Sequence, residues 1–150
     1  MTKKEKNISL SYKISKIHTL KFSFEEIDND RAEYLFETPN ALFLHTNVVL
    51  NIDKEKSTIA IDINSNLSDK EKKEVLVEHS GRTIFHFKGL NDVYNEKEDI
   101  FDIPDGILVQ LFSLSYSHAR ALLAMEVSPT IFKDHYILPV IDPTEFLKKK

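Results

Sequence analysis

The chain has 150 residues and a formal net charge of −4 at pH 7, with 41% hydrophobic and 29% charged residues. This length and balance are those of one globular domain and exclude a disordered chain or a membrane-spanning bundle. The absence of cysteine excludes disulfides, zinc–thiolate sites and thiol nucleophiles. Three scattered glycines are too few for a phosphate-binding loop, and the negative charge argues against a nucleic-acid-binding domain.

Both ends of the chain are rich in lysine. We expect one domain over residues 1–150, with 1–11 and 148–150 as flexible ends. The basic start is not followed by the apolar stretch of a signal peptide, and no window approaches the ~20 apolar residues that span a bilayer. The sequence therefore predicts a cytoplasmic protein without membrane insertion.

Alternation of apolar and polar residues governs the first two-thirds of the chain and predicts β-strands. Four runs of this kind lie at 17–25, 41–52, 57–65 and 74–89. The phase slips at the start of the first run, which predicts a bulge or a strand start near His18. Gly81 divides the last run, and we expect a bulge or a bend there. Four strands with short links predict an antiparallel meander.

Residues 91–105 carry six carboxylates against one lysine, which predicts a solvated crossover. From Pro104 the apolar spacing changes to three and four residues, which predicts a helix of about 20 residues that ends near Ser128. One set at this spacing comprises Leu108, Leu111, Ser115, His118 or Ala119, Leu122 and Met125, and the opposite side carries Ile107, Phe112, Leu114 and Leu123. Because one sheet covers only one side of a helix, the other side calls for a partner, most economically a second copy of the chain.

The segment 130–138 is too apolar for a solvated loop, so we expect it to lie against another surface. Asp142, as an N-cap, then begins a short final helix. The predicted fold class is therefore α+β. It consists of a four-stranded antiparallel meander sheet, one long helix, an aromatic loop and a short C-terminal helix.

No catalytic or metal-binding group of residues stands out. The six histidines lie on different predicted elements, and no pair has the spacing of a helical metal site. Ser115 and His118 are three residues apart, but they lie in the most apolar part of the chain without an evident oxyanion donor. Lys13, Lys16 and Lys21 are scattered and offset by nearby acids, which does not favour nucleic-acid binding. The sequence predicts no enzyme, no metal and no cofactor.

Three segments and their order along the chain carry a resemblance to a known family. IHTLKFSFE at 17–25 looks like the first strand of that family, and EVLVEHSGRTIFHFKGL at 74–90 is similar to its fourth strand. HARALLAMEVSPTIFKDHYILPVIDPTEFL at 118–147 resembles its C-terminal half. The family is the SecB-type protein-export chaperones, and the resemblance extends over residues 12–147.

This resemblance implies an ATP-independent holdase, a molecular chaperone that binds unfolded polypeptides, among them precursors for export through the Sec pathway. It implies homotetramers built as dimers of dimers, with the long helices between two sheets. Clients of the family lie in apolar grooves bounded by the sheet and the loop between the helices. Here the expected groove residues are Phe43, Tyr116, Phe132, Tyr136, Ile137 and Leu138.

The family passes clients to a SecA-type translocation motor through an acidic and apolar patch on the outer sheet face. The matching positions are Glu25, Leu76 and Glu78. Lys21 departs from the family, which has an acidic residue there, and the C-terminus is short and basic. Two alternatives stay open. One is a SecB-like protein dedicated to a single partner, such as an antitoxin-specific chaperone, and the other is a structural oligomer without general holdase activity.

Overall fold

A four-stranded antiparallel sheet and one long helix form the two layers of the computed structural model, which describes residues 10–148. The strands are β1 (Ser11–Phe24), β2 (Leu42–Asp53), β3 (Thr58–Asp69) and β4 (Glu74–Lys88). The helices are α1 (Asn29–Glu37), α2 (Asp105–Val127) and α3 (Glu145–Lys148). The crossover contains a 3-10 turn (Leu90–Val93) and a two-residue hairpin of β5 (Tyr94–Asn95) and β6 (Ile100–Phe101). The α+β class is confirmed.

The expectation of flexible ends falls mainly on residues 1–9 and 149–150, which lie outside the described residues. Ser11 is the first residue of β1, and Lys148 is the last residue of α3.

The strand order in the sheet is β1-β4-β3-β2, so the predicted meander holds for β2, β3 and β4 alone. β1 lies at the opposite edge from β2, as in a Greek key. The connection between these two distant edges contains α1, which the strand pattern did not predict. Its N-terminus is capped by Asp28, whose carboxylate accepts a hydrogen bond from the Arg31 N–H at 2.7 Å.

Two β-bulges interrupt the pairing of β1 with β4, one between Ile14 and Lys16 and one between Thr19 and Lys21. The second confirms the irregularity predicted near His18. The expectation for Gly81 is wrong in its location, because β4 runs through this residue and the bulge lies in the strand opposite. A Cβ atom at Gly81 would lie 3.3 Å from the backbone of Ala119. The glycine therefore lets α2 approach β4 closely.

Helix α2 packs across β4 and β3 with one continuous buried face. That face comprises Leu108, Leu111, Phe112, Ser115, Tyr116, Ala119, Leu123 and Val127. The sequence-based assignment is correct as far as Ala119 and wrong beyond it, since Leu123 is buried while Met125 is 73% exposed. A helix has 3.6 residues per turn, so residues at successive spacings of three turn progressively away from the sheet. Residues that alternate spacings of three and four stay on the face that packs against it. Phe112, assigned to the opposite side, also belongs to the buried face.

The segment that follows α2 folds back over the sheet, which confirms that it lies against another surface. The Tyr136 hydroxyl donates a hydrogen bond to the Ser65 Oγ at 2.7 Å in the interior. The Arg120 Nε donates to the Leu138 carbonyl at 3.1 Å, and the Tyr116 hydroxyl donates to the Pro139 carbonyl. These hydrogen bonds hold in place an irregular backbone segment that is paired with no strand and lies in no helix.

Candidate polypeptide-binding groove

An apolar cavity of about 430 Å³ opens beside the edge strand β2, where α2, α3 and β6 converge. We call this cavity, together with the free edge of β2, the β2 groove. Six of the residues that line the cavity are Val48, Leu50, Ile52, Phe101, Phe112 and Phe146. A concave apolar site of this size accommodates one or two large side chains of a ligand.

The β2 groove exists because α2 lies over β3 and β4 and leaves the inner face of β2 half covered. The inner residues Val48, Leu50 and Ile52 are only partly buried, although their alternation is as regular as that of β3. Phe146 of α3 closes one side, with its ring 5.3 Å from the ring of Phe112. The side chain of Asp142 supports this corner by accepting a bond from the Thr144 N–H at 2.9 Å.

The backbone edge of β2 has no neighbouring strand within the described residues. The twelve residues Leu42–Asp53 include neither lysine nor proline, and their pairing with β3 has no bulge. Lysines, prolines and bulges are the usual protections of an exposed strand edge. The β2 edge therefore retains a regular row of main-chain donors and acceptors beside an apolar cavity.

The six residues predicted to line a client groove do not form one surface. Tyr116, Phe132, Tyr136 and Leu138 are buried in the core, whereas Phe43 is 54% and Ile137 61% exposed. Phe43 lies on the outer face of β2, away from α2. Their role in client binding stays a prediction.

The aromatic loop is closed by α1, which the sequence-based assignment did not include. The Phe36 ring of α1 stacks on the His135 ring at a centroid distance of 3.9 Å and meets the Phe132 ring edge-on at 6.0 Å. Phe132 is fully buried beneath these two rings. Access to it would require α1 or the loop to move.

The residues predicted to form a motor-binding patch do meet, at the end of β1 and the start of β4. The Glu25 N–H donates a hydrogen bond to the Leu76 carbonyl at 2.8 Å, and Glu78 lies beside them. The Leu76 side chain is buried, and the Lys21 ammonium lies 2.8 Å from the Glu78 carboxylate. One acidic charge of the patch is thus offset by the residue that departs from the family pattern. The role of the patch stays a prediction.

Two histidines between α2 and the sheet, His79 and His118, are held by threonine hydroxyls, which fits a structural role. Burial lowers the pKa of His79 to about 4, so its imidazole is neutral at pH 7, and its Nε2 lies 3.1 Å from the Thr19 Oγ1. The His118 Nδ1 is 2.9 Å from the Thr83 Oγ1, and burial lowers the pKa of His118 as well. Within residues 10–148 no three histidine or carboxylate side chains are placed to hold a metal ion.

Comparison with known proteins bears on the fold. No protein-family model matches the chain, and no curated protein matches it by sequence. Among solved structures, the chain is similar to the Mycobacterium tuberculosis SecB-like chaperone Rv1957 in complex with a ChAD peptide from the antitoxin HigA1. The match covers 87% of this chain and 90% of that chain, with a TM-score of 0.52 and 12% sequence identity. The fold is SecB-like.

The SecB-like fold accounts for the order of elements that the sequence indicated, from the four strands to the terminal helix. Among the described residues, no helix has the length and apolar character needed to cross a membrane.

Proposed function

We propose that this chain is a cytoplasmic chaperone that binds extended apolar segments of other polypeptides without nucleotide. The observation that carries the proposal is the apolar cavity directly beside the unprotected edge of β2. A polypeptide strand added to this edge would form main-chain hydrogen bonds, which do not depend on the side chains of the client. Every second client side chain would then point toward Val48, Leu50 and Ile52.

Burial in the cavity would supply the affinity that main-chain bonds alone do not. Each aliphatic or aromatic client side chain that fills it would contribute roughly 1.5–3 kcal/mol. Binding of this kind is tolerant of sequence but requires an unfolded, extended client, because only extended backbone can pair with β2. These are the properties of a holdase.

A dedicated partner is the second candidate function. The similar Rv1957 is described as a complex with an antitoxin peptide, which supports a polypeptide partner for this chain as well. The small cavity walled by Phe101, Phe112 and Phe146 favours one anchored segment over many weak contacts. Binding of several unrelated unfolded proteins would support the general holdase, and capture of a single natural partner would support the dedicated one.

We further propose self-association and, for an export role, delivery to a SecA-type motor through Glu25 and Glu78. Self-association is supported by four apolar side chains of β1 that are each about two-fifths exposed: Ile14, Ile17, Leu20 and Phe24. Covering them with other copies of the chain would give the homotetramer, a dimer of dimers, implied by the family resemblance.

The β2 groove can be tested with a matched pair of variants on one strand. Leu50→Asp places a charge inside the cavity, whereas Asn51→Asp places the same charge on the exposed outer face of β2. The probe is a fluorescein-labelled ten-residue peptide with leucine or phenylalanine at alternate positions, and the readout is its anisotropy. We expect L50D to weaken binding more than about tenfold, because a buried unpaired carboxylate is costly, and N51D to bind within about twofold of the unchanged chain.

Val48→Thr serves as a milder second variant in case L50D does not fold. Threonine keeps the β-branched shape that suits a strand but adds a hydroxyl to the cavity wall. We expect V48T to weaken binding several-fold and also to reduce protection of a chemically unfolded test protein against aggregation. Unchanged binding by folded L50D and V48T would contradict the proposal.

A further inference from the structure

A row of basic side chains follows the outer face of β1 and the adjacent end of β4. We call it the basic stripe, and it consists of Lys13, Lys16, His86 and Lys88. Paired residues in antiparallel strands share a face, and the register pairs Ser11 with Lys88, Lys13 with His86, and Lys16 with Ile84. All four basic residues therefore lie on the face opposite α2.

The bulge between Ile14 and Lys16 creates this alignment. In a regular strand, residues 13 and 16 would point to opposite faces, since their separation is odd. The extra residue Ser15, whose hydroxyl donates a hydrogen bond to the Ile84 carbonyl at 3.1 Å, restores Lys16 to the face of Lys13. The sequence-based view that these lysines are scattered is thus wrong for Lys13 and Lys16. Lys21 also reaches this face through the second bulge, but Glu78 neutralises it.

Among the described residues, the three lysines of the basic stripe have no counter-charge of their own. Within residues 10–148, none of Lys13, Lys16 and Lys88 forms an ion pair. The neighbouring Arg82, by contrast, forms a bidentate salt bridge in which its Nε and Nη2 donate to the two carboxylate oxygens of Asp62 at 2.7 and 2.9 Å. A shallow cavity of about 320 Å³ lies at its end, lined by Ser11, Tyr12, Lys13, His86 and Lys88, with no carboxylate among them. This is a local excess of positive charge on a chain whose net charge is −4.

The geometry points to an extended acidic segment of a bound polypeptide as the ligand of the basic stripe. This inference deepens the proposed function and rests on it. Alternate side chains of an extended peptide repeat about every 7 Å, which is also the spacing of successive same-face residues on β1. A peptide with Asp or Glu at every second position would therefore match the cations one by one.

Two other polyanions fit less well. A nucleic acid would require an exposed aromatic platform, but the ring of Tyr12 packs against Phe85 and Phe87 at 5.6 and 5.2 Å, and its hydroxyl donates to Gln110. A flat anionic membrane on this face would also meet Asp53, which lies on β2 in the same cross-strand row as Lys13. A narrow row of cations suits a single extended chain.

The basic stripe lies on the outer face of the sheet and the cavity on its inner face, so one polypeptide would reach both by passing around the β2 edge. Lys13, His86, Thr58 and Asp53 occupy one row across the sheet, and Asp53 follows the cavity residue Ile52. Three strand spacings of about 4.8 Å separate the ends of this row, a span of about 14 Å. A client paired with the β2 edge lies one strand spacing further out, about 19 Å from β1, a distance that an extended five-residue spacer spans.

The test compares two labelled peptides that share the alternating apolar segment and a five-residue spacer. One continues with four Asp or Glu residues at alternate positions, and the other has Ser or Gln there. The variant K13Q/K16Q/K88Q removes three charges from the basic stripe, and the matched control K70Q/K72Q/K97Q removes three exposed lysine charges elsewhere. We expect the unchanged chain at low salt to bind the acidic peptide roughly five- to tenfold more tightly than the neutral peptide. This difference should disappear at high salt and in K13Q/K16Q/K88Q, and it should persist in K70Q/K72Q/K97Q.

The outcomes separate the two proposals. If neither peptide binds, the proposed function fails and this inference fails with it. If both bind equally at low salt, or if the control variant loses the gain as well, only the basic stripe inference is overturned. Displacement of the bound acidic peptide by a single-stranded oligonucleotide or by phosphatidylserine vesicles at lower concentrations than unlabelled acidic peptide requires would also overturn it. Retained binding of the neutral peptide shows that K13Q/K16Q/K88Q is folded.

Discussion

At the scale of single residues, the contact between Gly81 and Ala119 sets the distance between the sheet and α2. We expect Gly81→Ala to destabilise the fold by about 1–3 kcal/mol, because the added methyl group would lie 3.3 Å from the Ala119 Cα and Cβ. Gly106→Ala is the natural control, since nothing lies within 4 Å of its added methyl group in the first turn of α2. It should be neutral or stabilising by up to about 1 kcal/mol. Urea unfolding measures both, and equal effects would contradict the contact.

His79 makes stability depend on pH. Its pKa is about 4 in the folded chain, against 6.5 for an ordinary histidine, so the unfolded chain binds more protons between these values. The free energy of unfolding is therefore highest, as far as His79 is concerned, above pH 6.5. It decreases as the pH falls toward 4, by roughly 3 kcal/mol in total. We expect His79→Gln to flatten the dependence of the unfolding free energy on pH in this window. The exposed His45 provides the control variant His45→Gln, which should keep the original slope.

At the scale of elements, the strands could be predicted because alternation is a local property of the sequence. The inner face of β2, with Val48, Leu50 and Ile52, is one example, and these residues line the cavity. Helix α1 escaped prediction because only Ala32 and Leu35 are buried in it, too few to establish a helical period. Asp28 is the one sequence signal for the start of α1, since Asp is a preferred N-cap residue and its carboxylate accepts a hydrogen bond from the Arg31 N–H.

The strand order and the candidate site could not be predicted, because both depend on contacts between distant parts of the chain. β1 pairs with β4, more than fifty residues later, and no local pattern specifies that edge. The walls of the cavity come from separate parts of the chain, since Phe101 of β6 and Phe146 of α3 enclose it together with β2. Likewise, the apolar character of Phe132 and Tyr136 was evident, but their burial depends on how α1 and the loop pack.

At the scale of the whole molecule, the two edges of the sheet differ in what they offer to another chain. β2 is regular and lies beside an apolar cavity, whereas β1 has two bulges, lysines on its outer face and exposed apolar residues on its inner face. Bulges and lysines discourage addition of a strand, while exposed apolar side chains favour packing. We therefore propose that clients bind at β2 and that copies of the chain associate through the inner side of β1.

Light scattering behind a sizing column tests this division. We expect a mass near 70 kDa at micromolar concentration, four times the 17.4 kDa chain. Ile17→Glu should lower the mass toward that of the single chain, because Ile17 is 42% exposed on the inner side of β1 and its contact area would acquire a charge. Val49→Glu, at a site 40% exposed on the outer face of β2, should leave the mass unchanged. A measured mass of 17.4 kDa for the chain without substitutions would contradict the proposal that β1 mediates self-association. Dissociation by V49E, with no effect of I17E, would contradict it as well.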